Sequence, residues 1–257
     1  MDLGERLKEE ALAYAKLKSF QARVDKTKQR ILKALAEAPG TWALSFSGGK
    51  DSTALLYICL DAGWRGPVLH FYYPETPPEN LEFVRATTQA LELDLHVVRV
   101  SGAWDVYAAC GRFFTDPETL EEKRLTNKML RDYKKRVDTH VGSQGWVGQF
   151  MGMRMQESFK REVMLKRKGF LYQTQDRSTW TCCPLFDWVI RDVWAYIYSR
   201  NIPFLSHYKD LPEERSELVW LACPLAWSIG QLSKVKKTQP EYYAELVRRW
   251  PELKNLT

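Results

Sequence analysis

The sequence has no uninterrupted apolar run long enough to cross a lipid bilayer, and its first residues mix charges without the apolar core of a secretion signal. It also has no internal repeat and no low-complexity tract. Hydrophobic residues make up 45% and charged residues 27% of its 257 residues, which is typical of a globular protein rather than a disordered or membrane-embedded one. We therefore expect a cytoplasmic protein without membrane contact.

Histidine and cysteine are both scarce. The four histidines include no pair with the HxxxH spacing of helical zinc ligands, so we do not expect zinc. The five cysteines are an odd number in a chain without a secretion signal. This argues against a disulfide framework and for reduced thiols, a metal site or redox chemistry.

The net charge of +6 arises in one part of the chain. Residues 121–168 contain 13 Lys or Arg and 6 Asp or Glu, a local excess of +7. Such a segment can hold nucleotide phosphates or attract a nucleic acid. It can also be the solvated face of a helix, and the run from Lys123 to Arg136 is typical of one. We favour the solvated face, because a nucleotide-binding protein already needs part of this charge.

A glycine-rich segment, SGGKDS at residues 47–52, lies between the apolar residues 42–46 and a helical pattern. Its glycines permit a tight turn, the helix amino end favours anions, and Lys50 adds a positive charge. It is not a Walker A loop, because Leu44 occupies the first glycine position and Asp51 replaces the hydroxyl residue. The alternative is an ordinary turn whose helix is capped by Asp51 or Ser52. The order of strand, glycines and helix favours a phosphate site.

Alternating patterns predict an α/β protein. Apolar residues at helical spacing predict two helices, or one bent helix, over the first forty residues. Because predicted strands then alternate with helices, the sheet should be parallel and should bind its ligand at the carboxyl ends of the strands. We predict a central, mostly parallel, twisted sheet with helices on both faces. The predicted strands are residues 41–46, 68–73, 94–100, 145–151 and 169–173.

Two later segments carry further motifs. Residues 151–158 read MGMRMQES and are followed by Arg161, and residues 184–197 read PLFDWVIRDVWAYI. Together with the glycine loop, these motifs resemble those of the N-type ATP pyrophosphatases, in particular the phosphoadenosine phosphosulfate (PAPS) reductase superfamily. The resemblance extends over about residues 41–208. Residues 74–76, Pro-Glu-Thr, resemble another element of the superfamily, but two tyrosines replace the Asp-Thr-Gly that often precedes it.

The resemblance implies a Rossmann-like adenine nucleotide alpha-hydrolase fold that binds ATP with Mg²⁺ and acts at the α-phosphate. Lys50, Asp51 and Arg154 are the expected catalytic residues, and Asp51 is the carboxylate expected nearest to Mg²⁺. Arg154 has a second interpretation as a surface ion pair with Glu157. Trp188, Trp194 and Ile197 should pack in the core, with the role of Asp187 open. Nucleotide or phosphate contacts are expected from Ser45, Ser47, Gly48, Gly49, Lys50, Ser52, Thr53, Gly152, Arg154, Glu157, Ser158 and Arg161.

The sequence lacks the Glu-Cys-Gly-Ile/Leu-His motif with which reductases of this superfamily attack sulfur. The last cysteine, Cys223, lies in an apolar context without a following histidine, where nothing activates the thiol. Cys182 and Cys183 resemble the double cysteine that holds an iron–sulfur cluster in some reductases, and Cys223 or Cys110 could add ligands. The later Cys-x-x-Cys pair is missing, so we expect buried structural thiols and no cluster, with a redox role as the alternative.

The expected activity is an ATP pyrophosphatase that cleaves or transfers at the α-phosphate, releasing pyrophosphate. One alternative is a sulfonucleotide reductase or sulfurtransferase-like accessory enzyme of nucleic-acid modification or defence. Another is a non-catalytic adaptor that binds nucleotide and nucleic acid. A homodimer or a role in a multi-protein system remains open. The expected organisation is a helical segment 1–40, a nucleotide-binding domain 41–208 with a basic helical insertion at about 103–142 near the site mouth, and a helical segment 209–257.

Overall fold

A six-stranded sheet with the order β3-β2-β1-β4-β6-β5 forms the centre of the computed structural model, which describes residues 3–114, 118–173, 179–209 and 230–256. Neighbouring strands are parallel except for β5 and β6, which are antiparallel. The chain runs outward from β1 to β2 and β3, and then returns to the other side of β1 with β4. The strands are β1 (Trp42–Ser45), β2 (Val68–Tyr72), β3 (Leu95–Arg99), β4 (Gly148–Phe150), β5 (Leu171–Gln173) and β6 (Trp180–Cys182).

Helices connect these strands and extend the domain at both ends. Short 3₁₀ helices lie at Met155–Glu157, Ser206–Lys209 and Pro251–Leu256. Within the described ranges, no helix is long and apolar enough to cross a membrane. The α-helices are α1 (Leu3–Ala15), α2 (Lys18–Glu37), α3 (Lys50–Asp61), α4 (Pro78–Ala90), α5 (Ala103–Cys110), α6 (Leu120–Ser143), α7 (Phe159–Lys168), α8 (Ile190–Ser199), α9 (Gln231–Thr238) and α10 (Pro240–Arg249).

The two amino-terminal helices pack against the segment that contains the PLFDW motif. Arg30 of α2 is buried and donates a 2.6 Å hydrogen bond to the Asp187 carboxylate. Burial opposes ionisation of Asp187, but the hydrogen bond and charge of Arg30 outweigh it and lower the pKa of this carboxyl. Arg23 of α2 forms a second ion pair, with the buried Asp192 of α8, at 2.9 Å. Asp187, whose role the sequence left open, therefore forms an ion pair that holds this segment against α2.

The predicted α/β fold is confirmed. All five predicted strands are present, the first forty residues form two helices, and Trp188, Trp194 and Ile197 lie in the core. The sequence did not reveal β6, because its three residues lie between the polar residues 174–179 and Pro184 and do not extend into a longer apolar run, as β4 and β5 do. The segment 103–142, expected to be a helical insertion, contains α5 and most of α6, which begins at Leu120 after a Thr119 cap.

Candidate functional site

The glycine loop connects β1 to α3 at the carboxyl edge of the sheet. Gly48 has a φ of +79°, a conformation that side chains disfavour, and Gly49 precedes the first helical residue, Lys50. Gly49 is the N-cap and offers no side chain, so α3 is not capped by Asp51 or Ser52. The first amides of a helix have no intrahelical acceptor and attract anions. The loop thus has the geometry of a phosphate cradle.

Two serine hydroxyls hold the loop in shape. Ser52 Oγ donates to the Gly49 carbonyl at 2.9 Å and accepts from the Ser47 amide at 3.2 Å. Ser47 Oγ lies 3.0 Å from Ser52 Oγ and accepts from the Gly49 amide at 3.3 Å. The next residue, Thr53, has a buried hydroxyl without a hydrogen-bond partner in the described part of the chain. Ser47 and Ser52 therefore shape the turn, and direct phosphate contacts from them stay a prediction.

Asn80 of α4 fixes the outer side of the loop. Its Nδ2 donates to the Ser47 carbonyl at 2.9 Å, and a Cβ placed on Gly48 would lie 2.7 Å from the same atom. Asn80 is buried, and its Oδ1 has no hydrogen-bond partner among the residues described. Sequence reasoning did not identify this residue, because it lies 33 positions from Ser47 and belongs to none of the quoted motifs.

Asp51 lies between two cations that are both fully buried. Its Oδ1 accepts a 2.7 Å hydrogen bond from Arg154 Nε, and its Oδ2 lies 3.3 Å from Lys50 Nζ. Arg154 also reaches the Trp188 carbonyl at 3.4 Å. The interpretation of Arg154 as a surface residue is therefore wrong, because its side chain has no solvent exposure. The structure brings together the three residues that the resemblance marked as catalytic.

Arg154 reaches α3 because the turn after β4 packs closely against it. A Cβ on Gly152 would lie 3.2 Å from the backbone of Asp51 and Ser52, so only glycine allows this approach without a shift. The strands β1 and β4 are neighbours in the sheet although they are far apart in sequence. Their carboxyl ends mark the switch point at which open α/β sheets bind ligands.

The residues that follow Arg154 support its backbone. Glu157 Oε2 accepts a 2.6 Å hydrogen bond from the Arg154 amide, and its other oxygen pairs with Arg161. Burial, followed by the charge of Asp51, raises the pKa of Glu157. Ser158 caps α7 by accepting from the Arg161 amide at 3.3 Å. Nucleotide contacts from Glu157, Ser158 and Arg161 remain predictions, while their positioning role is visible.

Tyr208 closes the site from the carboxyl-terminal side of the domain. Its hydroxyl accepts the Lys50 amide at 3.3 Å, and its ring centroid lies 5.5 Å from Lys50 Nζ. The tyrosine hydroxyl thus accepts a hydrogen bond from an amide at the amino end of α3, where an anion oxygen would otherwise bind. The sequence motifs gave no signal for Tyr208. Ser45, by contrast, accepts a hydrogen bond from Gln149 of β4 and links the two central strands.

Mg²⁺ does not fit Asp51 in this arrangement, because both carboxylate oxygens already face cations. Over the described ranges, no group of three or more His, Cys, Asp or Glu side chains is arranged to hold a metal. If ATP is the ligand, Mg²⁺ comes bound to its phosphates.

The paired cysteines lie at the carboxyl end of β6, beside β4, and Cys183 is close enough to Arg161 and Glu157 for their charges to act on its pKa. Cys182 and Cys183 are both buried. Burial raises the pKa of Cys183 to about 12 and that of Cys182 well above its usual value, which disfavours the thiolate needed for attack or metal binding. Cys223 lies outside the described residues.

The basic segment, residues 121–168, does not belong to one element. It is divided among α6, β4, the turn that contains Arg154, and α7. Arg154 is buried, whereas Lys123, Arg124 and Lys128 are exposed on α6. Binding of nucleic acid by the exposed residues remains a prediction.

Comparison with known proteins agrees with this geometry. The family described as phosphoadenosine phosphosulfate reductase domain matches residues 41–211. A phosphoadenosine 5'-phosphosulfate reductase of Xanthomonas euvesicatoria is 28% identical over 181 residues, covering 68% of this chain and 69% of the relative.

Two solved structures share the fold. One is the FMN adenylyltransferase of Candida glabrata in complex with FMN and the ATP analogue AMPCPP, with a TM-score of 0.54, 15% identity and coverage of 80% of this chain and 67% of that one. The other is the PAPS reductase of Candida auris in a phosphate complex, with a TM-score of 0.53, 15% identity and coverage of 72% and 84%. The chain belongs to the phosphoadenosine phosphosulfate reductase domain family.

Proposed function

We propose that the protein binds ATP at the glycine loop and cleaves or transfers at the α-phosphate, releasing pyrophosphate. The observation that carries this proposal is the junction of Lys50, Asp51 and Arg154 beneath the loop. It combines a helix amino end with two buried cations at the switch point of the sheet. The adenylyltransferase that shares the fold was solved with an ATP analogue, which supports the choice of nucleotide.

The glycine loop and the side chains next to it would bind and orient a triphosphate. Amides at the amino end of α3 would hold the β- and γ-phosphates, while Lys50 and Arg154, which stay paired with Asp51, would add positive charge beneath them. Charge that develops on the leaving pyrophosphate would thus face preorganised donors. An oxygen nucleophile forms a bond to the α-phosphorus as the bridging bond to the β-phosphate breaks, and the pyrophosphate leaves with the electron pair. The proton of the nucleophile passes to solvent.

The absence of the reductase cysteine motif argues for chemistry at phosphorus rather than at sulfur. No thiol in the described part of the chain is both exposed and activated, since burial raises the pKa of Cys182 and Cys183. Attack by an oxygen nucleophile requires no such thiol. This distinction separates the proposed reaction from that of the curated reductases.

Pyrophosphate release from ATP, together with calorimetric titration of ATP, tests the proposal. We expect binding in the wild type and loss of both signals in a Ser47→Ala/Lys50→Ala double variant. Arg154→Lys should keep part of the binding that Arg154→Met loses, since it keeps the charge. Arg6→Ala is the matched control, because this arginine is exposed on α1 and far from the loop. Wild-type protein that binds no ATP, or a double variant that binds it equally well, would contradict the proposal.

A sulfonucleotide is the second candidate ligand, and the similarity to PAPS reductases favours it. PAPS and adenylyl sulfate also present an α-phosphate to the loop. Parallel titration of ATP, adenylyl sulfate, PAPS and adenosine 3',5'-bisphosphate would separate the candidates. A clear preference for PAPS over ATP would move the assignment to sulfonucleotide chemistry.

A further inference from the structure

His96 of β3 and His140 of α6 face each other although they are 44 residues apart. His140 Nε2 lies 3.2 Å from His96 Nδ1, and the two ring centroids are 5.2 Å apart. The other nitrogen of His96, Nε2, lies 2.8 Å from the Asp94 carboxylate. The order of groups is therefore carboxylate, imidazole, imidazole.

Asp94 fixes the tautomer of His96. A carboxylate accepts, so His96 Nε2 carries the proton that it donates to Asp94. His96 Nδ1 then presents a lone pair to His140 Nε2. Without a metal, the proton of His140 Nε2 bridges the two rings. A cation that replaced this proton would find two imidazole lone pairs directed at it.

The distance between these nitrogens suits a metal ion. Two imidazoles bound to zinc at about 2.0–2.1 Å in tetrahedral geometry have their nitrogens roughly 3.3 Å apart. The observed 3.2 Å separation is close to this value. A histidine ligand whose second nitrogen donates to a carboxylate is also the usual outer-shell arrangement of protein metal sites.

The surroundings keep both rings in place and leave them accessible. Trp146 packs edge-on against both, at 5.0 Å from His96 and 5.6 Å from His140. His140 lies in the last turn of α6, where the helix dipole favours a cation. Both histidines are only partly buried, unlike His70 and His207. Two nearby cations are held by other groups: Arg99 pairs with Asp105 at 2.7 Å, and Arg136, one turn before His140, donates to the Arg99 carbonyl at 3.4 Å.

We propose that His96 and His140 form a two-histidine site for a borderline divalent transition metal, with Zn²⁺ as the first candidate and Asp94 as the residue that orients His96. Imidazole ligands suit Zn²⁺, Ni²⁺ and Cu²⁺ and disfavour Mg²⁺ and Ca²⁺. Water completes the coordination, since the described residues offer no third protein ligand. The metal links α6 to β3, an edge strand of the sheet.

This site is separate from the phosphate cradle. His96 is the second residue of β3, near its amino end, whereas the glycine loop follows the carboxyl end of β1. The role proposed is therefore stabilisation of α6 rather than catalysis. Its failure would leave the proposed function untouched.

Titration of metal-stripped, full-length protein with Zn²⁺ tests the site. We expect one saturable equivalent in the wild type, and a rise in Tm of about 5–10 °C when free Zn²⁺ is about a hundred times the dissociation constant. His96→Gln and His140→Gln should lose both effects. Asp94→Asn should bind roughly 10–100-fold more weakly, because it keeps the ligands and alters only their orientation. Mg²⁺ at equal concentration should do nothing.

Cys110→Ser is the matched control, because this thiol is also partly exposed and could bind Zn²⁺ by itself. It should behave as the wild type. A second measurement avoids variants that fold poorly: Zn²⁺ should shift the imidazole resonances of two of the four histidines in the wild type. An equal rise in Tm in both histidine variants, or resonances that do not move, would overturn the proposal.

Discussion

Arg154 Nε donates a 2.7 Å hydrogen bond to Asp51 Oδ1, and this contact joins the helix after β1 to the turn after β4. Arg154 is fully buried, and the Asp51 side chain is 9% exposed, so the pair is shielded from water. Shielding makes the loss of one partner costly, because the other charge stays buried. The same pair marks the point at which we place the phosphates.

Asp51→Asn should destabilise the protein strongly. The substitution removes the charge that faces Lys50 and Arg154, and breaking a buried pair costs about 3–5 kcal/mol. Urea unfolding measures the loss. Glu10→Gln is the control, since its pair with Arg6 is exposed and should be worth no more than about 1 kcal/mol. Pyrophosphate should restore more stability to Asp51→Asn than to the wild type, and equal effects would contradict an anion site between the two cations.

Gly48→Ala should cost more stability than Gly63→Ala. Both glycines have a positive φ, +79° and +89°, so both substitutions carry a similar backbone penalty of about 1–2 kcal/mol. Only at Gly48 does the new Cβ also meet a side chain, Asn80 Nδ2, at 2.7 Å. Overpacking adds about 1–3 kcal/mol. Thermal unfolding measures the difference in stability between the two variants. The double variant Gly48→Ala/Asn80→Ala should recover the overpacking cost but not the backbone penalty. Equal losses in both single variants would show that Asn80 does not constrain the loop.

The contribution of His140 to stability should fall as the pH drops below about 6.5, because burial and then the charge of His96 lower the pKa of His140 from 6.5. His140 binds a proton more readily in the unfolded chain than in the folded one. Its contribution to stability is therefore fully present above the unfolded pKa and is lost as the pH falls toward the folded pKa. Burial lowers the pKa of His70 in the same direction. The free energy of unfolding of metal-free protein, measured at pH 7.5 and at pH 5.5, would test this expectation. The two pH values lie about one unit above and below the usual histidine pKa. His140→Gln should show a shallower slope, and an unchanged slope would contradict the assignment.

The buried thiols should resist alkylation. Burial raises the pKa of Cys59 and Cys182 well above the usual value and that of Cys183 to about 12. Little thiolate is therefore present near pH 8, and reagent cannot reach the sulfur. Mass spectrometry after iodoacetamide treatment should find Cys110 modified in the native protein and Cys59, Cys182 and Cys183 modified only in urea. Native modification of Cys182 or Cys183 would revive a redox role for the pair.

Local patterns were sufficient to predict most of the fold. Strand β2 and helix α2 appear in the sequence as β-rich and helical runs, because their residues meet the same environment at every second or every third to fourth position. Strand β6 did not appear, since it lies between the polar residues 174–179 and Pro184 and has no longer apolar run around it. The candidate site likewise has a part that the sequence predicted and a part that it did not. The loop was visible because its glycines and lysine are adjacent, while Asn80 and Tyr208 were not, because they reach the loop from other elements.

The sequence by itself determined the alternation of strands and helices, the position of the glycine loop and the family of the chain, because each depends on residues close together along the chain. Tertiary structure alone decided that Arg154 is buried on Asp51, that Asn80 holds the loop, and that His96 meets His140. These contacts connect residues 33 to 103 positions apart. Their partners are chosen by strand order and helix packing, and no local periodicity encodes such a choice.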